Sequence, residues 1–456
     1  MILFLKSYLP AKSKMKSKFF LGLLALSFSY TQTFSQANAP STVPNRIRVI
    51  QTNPTPLPSP SPAPEAKVII TGNLPAAKPS ATPRPILTST PSSSVITQPY
   101  NPMPAATPGP LPPPTFYKPL SFNQIKNKIA EARRQLTSRP IQTASADSFL
   151  TTNTIRVAFY DYETGKVDYL VTSKTSFLSA NAQIATTASN GKFVTLRIVR
   201  PNFVNTAVMI VDAGNRAHLP LIVQYPVEKG GRFVEMANYI STHAGIVTPE
   251  VVSAGKFYVR NVIDTARENL RKKNVFISPQ VTDVAERLSI VEHVDHQRFF
   301  NESHPQIYNE IYALFALNEG QTYRYSVSVA GAGGMVQMIP WTYNMIRSRY
   351  YTVGLMPDFV EGMRNHQNAA QAMLLYMQMT WLDLNANDTI YNALQTGIAT
   401  PAELMSAGYN SNPAKLAGYI RRGGANWKTL IPRETKVYLQ IYSSMDRYVP
   451  VLPRTK

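Results

Sequence analysis

Residues 38–119 hold more than half of the chain's 37 prolines, in runs such as PTPLPSPSPAPE and PGPLPPPTF, with almost no apolar periodicity. Each proline fixes its own φ and removes a backbone donor, so a stretch this rich in them builds neither a continuous helix nor a sheet and buries no core. Whatever folds is therefore assembled from residue 120 onward. An extended, polyproline-like spacer that projects a folded unit is the simplest reading of 38–119; a PxxP docking ligand is the alternative.

What precedes the proline-rich stretch points to export. Lys12, Lys14, Lys16 and Lys18 lead into the apolar run FFLGLLALSF, and Ser35-Gln36-Ala37 supplies small residues for cleavage after Ala37; Met15 is an alternative start. The run is short for a membrane span, which leaves an uncleaved anchor as the lesser reading. Residues 1–37 thus read as a signal peptide of a protein of the periplasm or cell envelope, or of a secreted one. With no cysteine in 456 residues, a disulfide, a thiolate metal site and a cysteine nucleophile are all excluded. Forty-six Lys and Arg against 26 Asp and Glu give a net charge of +20, which favours anionic partners without choosing among them.

Beyond the proline-rich stretch, Ser121 and Gln124 have capping-box spacing, and Ile125, Ile129, Ala132 and Leu136 form one helical stripe. From Thr154 the period changes to two. Ile155, Val157 and Phe159 alternate, Glu163-Thr164-Gly165 reads as a turn, and Val167, Tyr169 and Val171 alternate again; further strand-like runs cover 193–199, 207–211 and 219–225. This predicts a small antiparallel sandwich or barrel over 120–228, with a packing, spacer or partner-binding role. Helical patterns resume at Thr248-Pro249, with Val259, Val262, Ile263, Ala266 and Leu270 on one face, and at Ser278-Pro279, making 229–300 a helical connector. The second of these helices ends in EHVDHQRF, where His293 and His296 stand three apart beside Glu292 and Asp295. Two histidines at that spacing lack the four-residue separation of a zincin helix and a third ligand, so the expectation is a solvated, mildly acidic helix end and no metal or other cofactor.

The next helix starts at Ser303 as cap, with Gln306 in the capping-box position, Pro305 near its start and Ile307, Ile311, Leu314 and Phe315 on one face, and stops at Glu319 before Gly320. A carboxyl at the negative end of a helix dipole, once partly desolvated, keeps its proton near neutral pH, which is what a general acid needs. Downstream lie Ser328, the glycine-rich Gly331-Ala332-Gly333-Gly334, Gln337, Pro340 and Thr342. Without a gap, this stretch resembles the signature of the soluble lytic transglycosylases, Glu-Ser followed by Ser-x-x-Gly-Ala-x-Gly-Leu-Met-Gln and Met-Pro-x-Thr. Gly320 replaces the Ser, and Val336 and Ile339 occupy the two Met positions. SAGYNSNPAKLAGYI resembles the family's Tyr-Asn block, through Tyr409, Asn410 and Pro413, with Asn412 in place of a Gly. IPRETKVYLQIY resembles its Pro-x-Glu-Thr-x-x-Tyr block, through Pro432, Glu434, Thr435 and Tyr438.

The resemblance covers roughly the last third of the chain. It implies a lysozyme-like helical domain over 301–456, Glu319 as the single catalytic acid and base, and Ser328, Gln337, Tyr409, Asn410 and Tyr438 as substrate-binding residues. It also implies cleavage of the MurNAc-GlcNAc bond in peptidoglycan with a 1,6-anhydro product. On residue chemistry alone Gln337 is equally a turn-stabilising amide, Tyr438 a bonded core tyrosine and Glu434 a helix-capping residue. The expected fold is α+β and multidomain, and the expected partner is peptidoglycan glycan strands, with an envelope protein on the β-domain. Nucleic acid is not expected, since no recognisable nucleic-acid motif accompanies the dispersed charge. The rival readings are a catalytically silent wall-binding or scaffold protein and a lysozyme-like hydrolase.

Overall fold

The computed structural model describes residues 113–139 and 152–455, which belong to one compact unit. The expected signal peptide and all but the end of the expected spacer lie outside the described residues. The architecture is α+β: a curled, mainly antiparallel sheet followed by a helical region. Among the described residues no helix is long and apolar enough to cross a membrane.

The sheet is organised on one long strand. Strands β2 (Thr154–Asp161), β3 (Lys166–Ser173), β4 (Gln183–Thr187), β5 (Phe193–Arg200), β6 (Ala207–Asp212) and β7 (Arg216–Lys229) lie in the order β3-β2-β7-β6-β5-β4. The start of β7 pairs with β6, whereas its later residues pair with β2 and with β8 (Arg232–Tyr239), so one strand serves two edges and the sheet curls around it. Strand β1 (Thr115–Phe116), at the end of the expected spacer, runs parallel to β7 with Thr115 opposite Arg216.

Helix α1 (Phe122–Ser138) begins with the expected capping box, in which Ser121 and Gln124 satisfy each other's backbone N–H groups. Its buried stripe of Ile125, Ile129, Ala132 and Leu136 packs on Leu219, Leu221 and Ile222 of β7. A short helix, α2 (Lys174–Phe177), follows β3. The helical region then comprises α3 (Pro249–Arg271), α4 (Pro279–Val291), α5 (His296–Asn301), α6 (His304–Asn318), α7 (Pro340–Arg349), α8 (Phe359–Arg364), α9 (His366–Asn385), α10 (Asp388–Gln395), α11 (Pro401–Asn410), α12 (Leu416–Gly423) and α13 (Arg433–Tyr448). Thr248 and Ser278 cap α3 and α4 with their hydroxyls, each ahead of a proline in the first turn. The expected capping box at α6 does not form. Ser303 makes no side-chain cap, and the Gln306 amide donates to Glu310 instead.

One apolar cluster runs from the sheet into the helices. It joins Val157 and Phe159 of β2 and Leu196 of β5 to Val259 and Ile263 of α3, Leu288 of α4, Phe315 of α6 and Met373 of α9. Burial of this kind stabilises by about 25 cal/mol per Å² of apolar surface removed from water, so the continuity binds sheet and helices energetically. Helices α3 and α6 approach closely enough that a Cβ added at Gly255 would lie 1.9 Å from the Tyr312 carbonyl oxygen. A buried ion cluster adds to the joint. The Glu310 carboxylate on α6 accepts from Arg298 at 2.8 Å and from Arg200 of β5 at 3.0 Å.

Candidate active site

Helix α4 carries Val281, Val284, Ala285 and Leu288 into the core and ends at Glu292, whose N–H still donates to the Leu288 carbonyl. This carboxyl sits where a solvated, mildly acidic helix end was expected, and its surroundings are different. Tyr438 of α13 donates its hydroxyl to the Glu292 carboxyl at 2.6 Å, and Glu292 keeps only partial access to solvent. Burial pushes its carboxyl up to about 8, an effect that the Tyr438 hydrogen bond opposes and the negative charge of Glu434 reinforces. The carboxyl also lies at a helix C-terminus, where the dipole disfavours negative charge.

Glu319, like Glu292, stands at a helix end but has neither its burial nor its tyrosine donor. It follows α6 with φ 47° and ψ −125°, its side chain is 51% exposed, and one carboxyl oxygen accepts from Lys126 of α1 at 2.5 Å. The partial desolvation expected for an acid at this position is absent, because the end of α6 opens on the surface groove it shares with Lys126, Arg133 and Arg134 of α1. From Glu292 the ring contacts lead through His293, Phe315 and Tyr258 before reaching the neighbourhood of Glu319.

The other residues singled out from the sequence divide between the Glu292 environment and the glycine turn. Tyr409 donates its hydroxyl to the Val336 carbonyl at 2.7 Å, and its ring takes the edge of Tyr376. The charge of Glu292 helps push the Tyr409 hydroxyl well above the ordinary tyrosine range, after burial itself. Asn410 accepts from the Thr435 hydroxyl at 2.9 Å, which ties the end of α11 to the start of α13. Tyr438 is buried, as the core reading had it, and its hydroxyl is spent on Glu292. Glu434 is exposed in the first turn of α13, and no side chain caps that helix, so its expected capping role is not observed.

The glycine turn is rigid. Val327 pairs with Gly333 and Gly333 with Met338 in two small antiparallel bridges. Gly334 has φ +66°, and a Cβ there would lie 2.2 Å from the Met363 carbonyl oxygen, so only glycine fits. Ser328 closes the tip of the turn, its hydroxyl accepting from the Ala332 N–H at 3.0 Å. Gln337 is left-handed (φ 45°, ψ 40°), and its amide nitrogen donates to the Gly334 carbonyl at 2.9 Å and to both oxygens of Ser326. That is the turn-stabilising role, and it leaves the Gln337 carbonyl oxygen without a partner among the described residues.

His293, next to Glu292, was weighed from the sequence only as half of a metal pair. Its Nε2 lies 2.9 Å from the Met335 carbonyl, and its ring stacks on Tyr323 with centroids 3.4 Å apart. Burial pushes this imidazole down to about 3, so it is neutral and donates from Nε2. No cluster of three metal-ligating side chains occurs among the described residues. The carbonyls of Met335 and Val336 are thus held by His293 and Tyr409, both in contact with the surroundings of Glu292. Sequence reasoning passed over Glu292 because the glycine turn starts 12 residues after Glu319 and matches the motif without a gap, whereas α5 and α6 intervene after Glu292. The available signal was the pattern used for Glu319, an apolar helix closing on a glutamate.

Compared with known protein families, with curated proteins and with solved structures, the chain matches none.

Proposed function

We propose that this protein is an exported peptidoglycan lytic transglycosylase with a lysozyme-like helical region, and that its general acid and base is Glu292 in place of Glu319. The observation that carries the reading is the Glu292 carboxyl, pushed up to about 8 at a helix end and gripped by Tyr438. Residues of all three sequence blocks that resemble the family support it: Tyr438 donates to that carboxyl, Glu434 and Tyr409 interact with its charge, and Tyr409 and His293 hold the carbonyls just before Gln337. A carboxyl that burial keeps protonated at neutral pH is suited to donate a proton and take one back.

In the proposed reaction Glu292 protonates the glycosidic oxygen between MurNAc and GlcNAc as the bond to C1 breaks. The resulting carboxylate then removes the proton from the C6 hydroxyl of the same MurNAc while that oxygen bonds to C1. The carboxyl is regenerated, the product carries a 1,6-anhydro ring, and no water is consumed. Tyr438 stabilises the carboxylate stage by donating to it. A lysozyme-like hydrolysis is the second reading, favoured by the exposed Glu434 whose charge reaches Glu292, since hydrolases use a second carboxylate.

Digestion of purified sacculi in oxygen-18 water tests both. Transglycosylation gives unlabelled anhydro-muropeptides, and hydrolysis gives labelled reducing ends. Glu292→Gln is expected to lose cleavage by a factor of about 10³ or more, within the range for removing an acid and base, while Glu319→Gln keeps it. Cleavage retained in Glu292→Gln and lost in Glu319→Gln would return the role to Glu319. Absence of any cleavage by the wild-type chain would leave the wall-binding reading.

A further inference from the structure

Around the glycine turn three large apolar side chains face solvent: Val327 is 69%, Val329 88% and Trp341 72% exposed. Scattered apolar residues on a surface need no explanation, but three on one short, rigid element mark a binding surface. Their grouping follows from the fold. The bridges Val327–Gly333 and Gly333–Met338 lay three short segments side by side, Gly331 packs near the Pro340 ring, and Trp341 follows Pro340 in the first turn of α7. Among the described residues the indole of Trp341 makes no ring contact, whereas Trp427 is fully buried with its N–H donated to the Ile398 carbonyl.

We infer that Trp341, flanked by Val327 and Val329, is a carbohydrate platform that stacks on a pyranose ring of the glycan strand beyond the scissile bond. This rests on the glycan-cleaving reading and extends it to a subsite. A β-1,4-linked N-acetylated amino sugar carries its polar substituents around the ring edge, so its faces present C–H groups to a flat apolar partner. An aromatic with two χ angles provides such area at little entropic cost when its backbone is fixed. Here the backbone is fixed by the left-handed Gln337, by the close fit at Gly334 and by the His293 and Tyr409 hydrogen bonds to the carbonyls of Met335 and Val336. Trp341 lies four positions after Gln337, at most ~14 Å of chain from the end of that turn. The hydrogen bonds from His293 and Tyr409 tie this turn to the surroundings of Glu292, which favours the glycan over a membrane or a second protein chain as its occupant.

The test uses the full chain carrying Glu292→Gln, so that the ligand survives, with chitotetraose as the probe. Calorimetry is expected to show about tenfold weaker binding when Trp341→Ala is added, equivalent to ~1.4 kcal/mol, and near-retention with Trp341→Phe. Tryptophan emission is expected to shift to the blue on saturation, and to lose that shift with Trp341→Ala. The exposed position of Trp341 lets the variants fold, and far-ultraviolet circular dichroism checks that they do. Equal affinity with and without Trp341, or no binding of chitotetraose at all, overturns the inference; wild-type digestion of sacculi judges the catalytic reading separately. Loss of association with anionic lipid vesicles, or of self-association, on Trp341→Ala with sugar affinity unchanged overturns it as well, by giving the surface to another occupant.

Discussion

Replacing Glu292 by Gln alters stability as well as cleavage, and the stability effect has a sign that depends on pH. Holding this carboxyl at about 8 instead of the ordinary 4.5 means that the native chain keeps a proton which the unfolded chain has already released between those values. The unfolded state then binds fewer protons, so unfolding free energy falls as pH rises through that window. At 1.36 kcal/mol per tenfold change the full displacement amounts to ~3–5 kcal/mol, the lower figure allowing for the carboxyl's partial access to water. Glutamine cannot ionise, retains an oxygen to accept from Tyr438, and nearly matches the shape of the protonated acid. Urea denaturation of both proteins at pH 5, 6, 7, 8 and 9 is therefore expected to give near-equal stabilities at pH 5. Glu292→Gln should then gain on the wild type by ~1.4 kcal/mol per pH unit until the curve levels near pH 8–9. Because other titrating groups are common to both chains, their contributions cancel in the difference. A difference that stays constant with pH, or that grows in favour of the wild type, would refute the buried-acid argument.

Tyr438→Phe removes the donor that favours the ionised form of Glu292; the alkaline limb of the cleavage profile should move to higher pH as the rate falls, and a downward move would contradict the bond. Gly255→Ala drives a methyl group against the Tyr312 carbonyl where α3 and α6 meet, and should cost at least ~2 kcal/mol in denaturant unfolding, with an unchanged midpoint counting against the close approach. Glu319→Gln breaks an ion pair whose partners are both about half exposed, so its unfolding free energy should fall by no more than ~1 kcal/mol at moderate salt.

Local chemistry made much of the fold legible. The Ser121 and Gln124 capping box, the α1 stripe and the Val259, Val262, Ile263, Ala266 and Leu270 face of α3 all behave as their spacing predicts. Strands β2, β3, β5, β6 and β7 fall on the alternating runs. Strands β4 and β8 were missed: Gln183–Thr187 is short and half polar, and Phe233 and Val234 on β8 are exposed, so neither shows a clean buried alternation. The residues around the proposed site were legible singly, whereas the contact that groups them was not. Tyr409, Asn410 and Tyr438 were identified as a group, but the carboxyl that Tyr438 donates to lies 146 residues away in the chain, and no period or motif spacing reports such a contact. Glu319 satisfied the local criteria for an acid as well as Glu292 does. Only the packing of α13 and α11 against the end of α4 distinguishes them, by burying one carboxyl and leaving the other beside Lys126.

The cluster of Arg200, Arg298 and Glu310 has a consequence for how such a chain can be divided or inherited. Glu310 belongs to the stretch that resembles a known enzyme, Arg298 lies just before that stretch, and Arg200 lies on the sheet. A gene fragment beginning at residue 301 would encode an acid with both of its counter-charges deleted, would leave Ile311 and Phe315 without α3 and α4, and would omit Glu292 altogether. Recombination at that joint would transfer a cassette with that apolar face uncovered and without the proposed acid, which favours joint descent of the sheet and the helices.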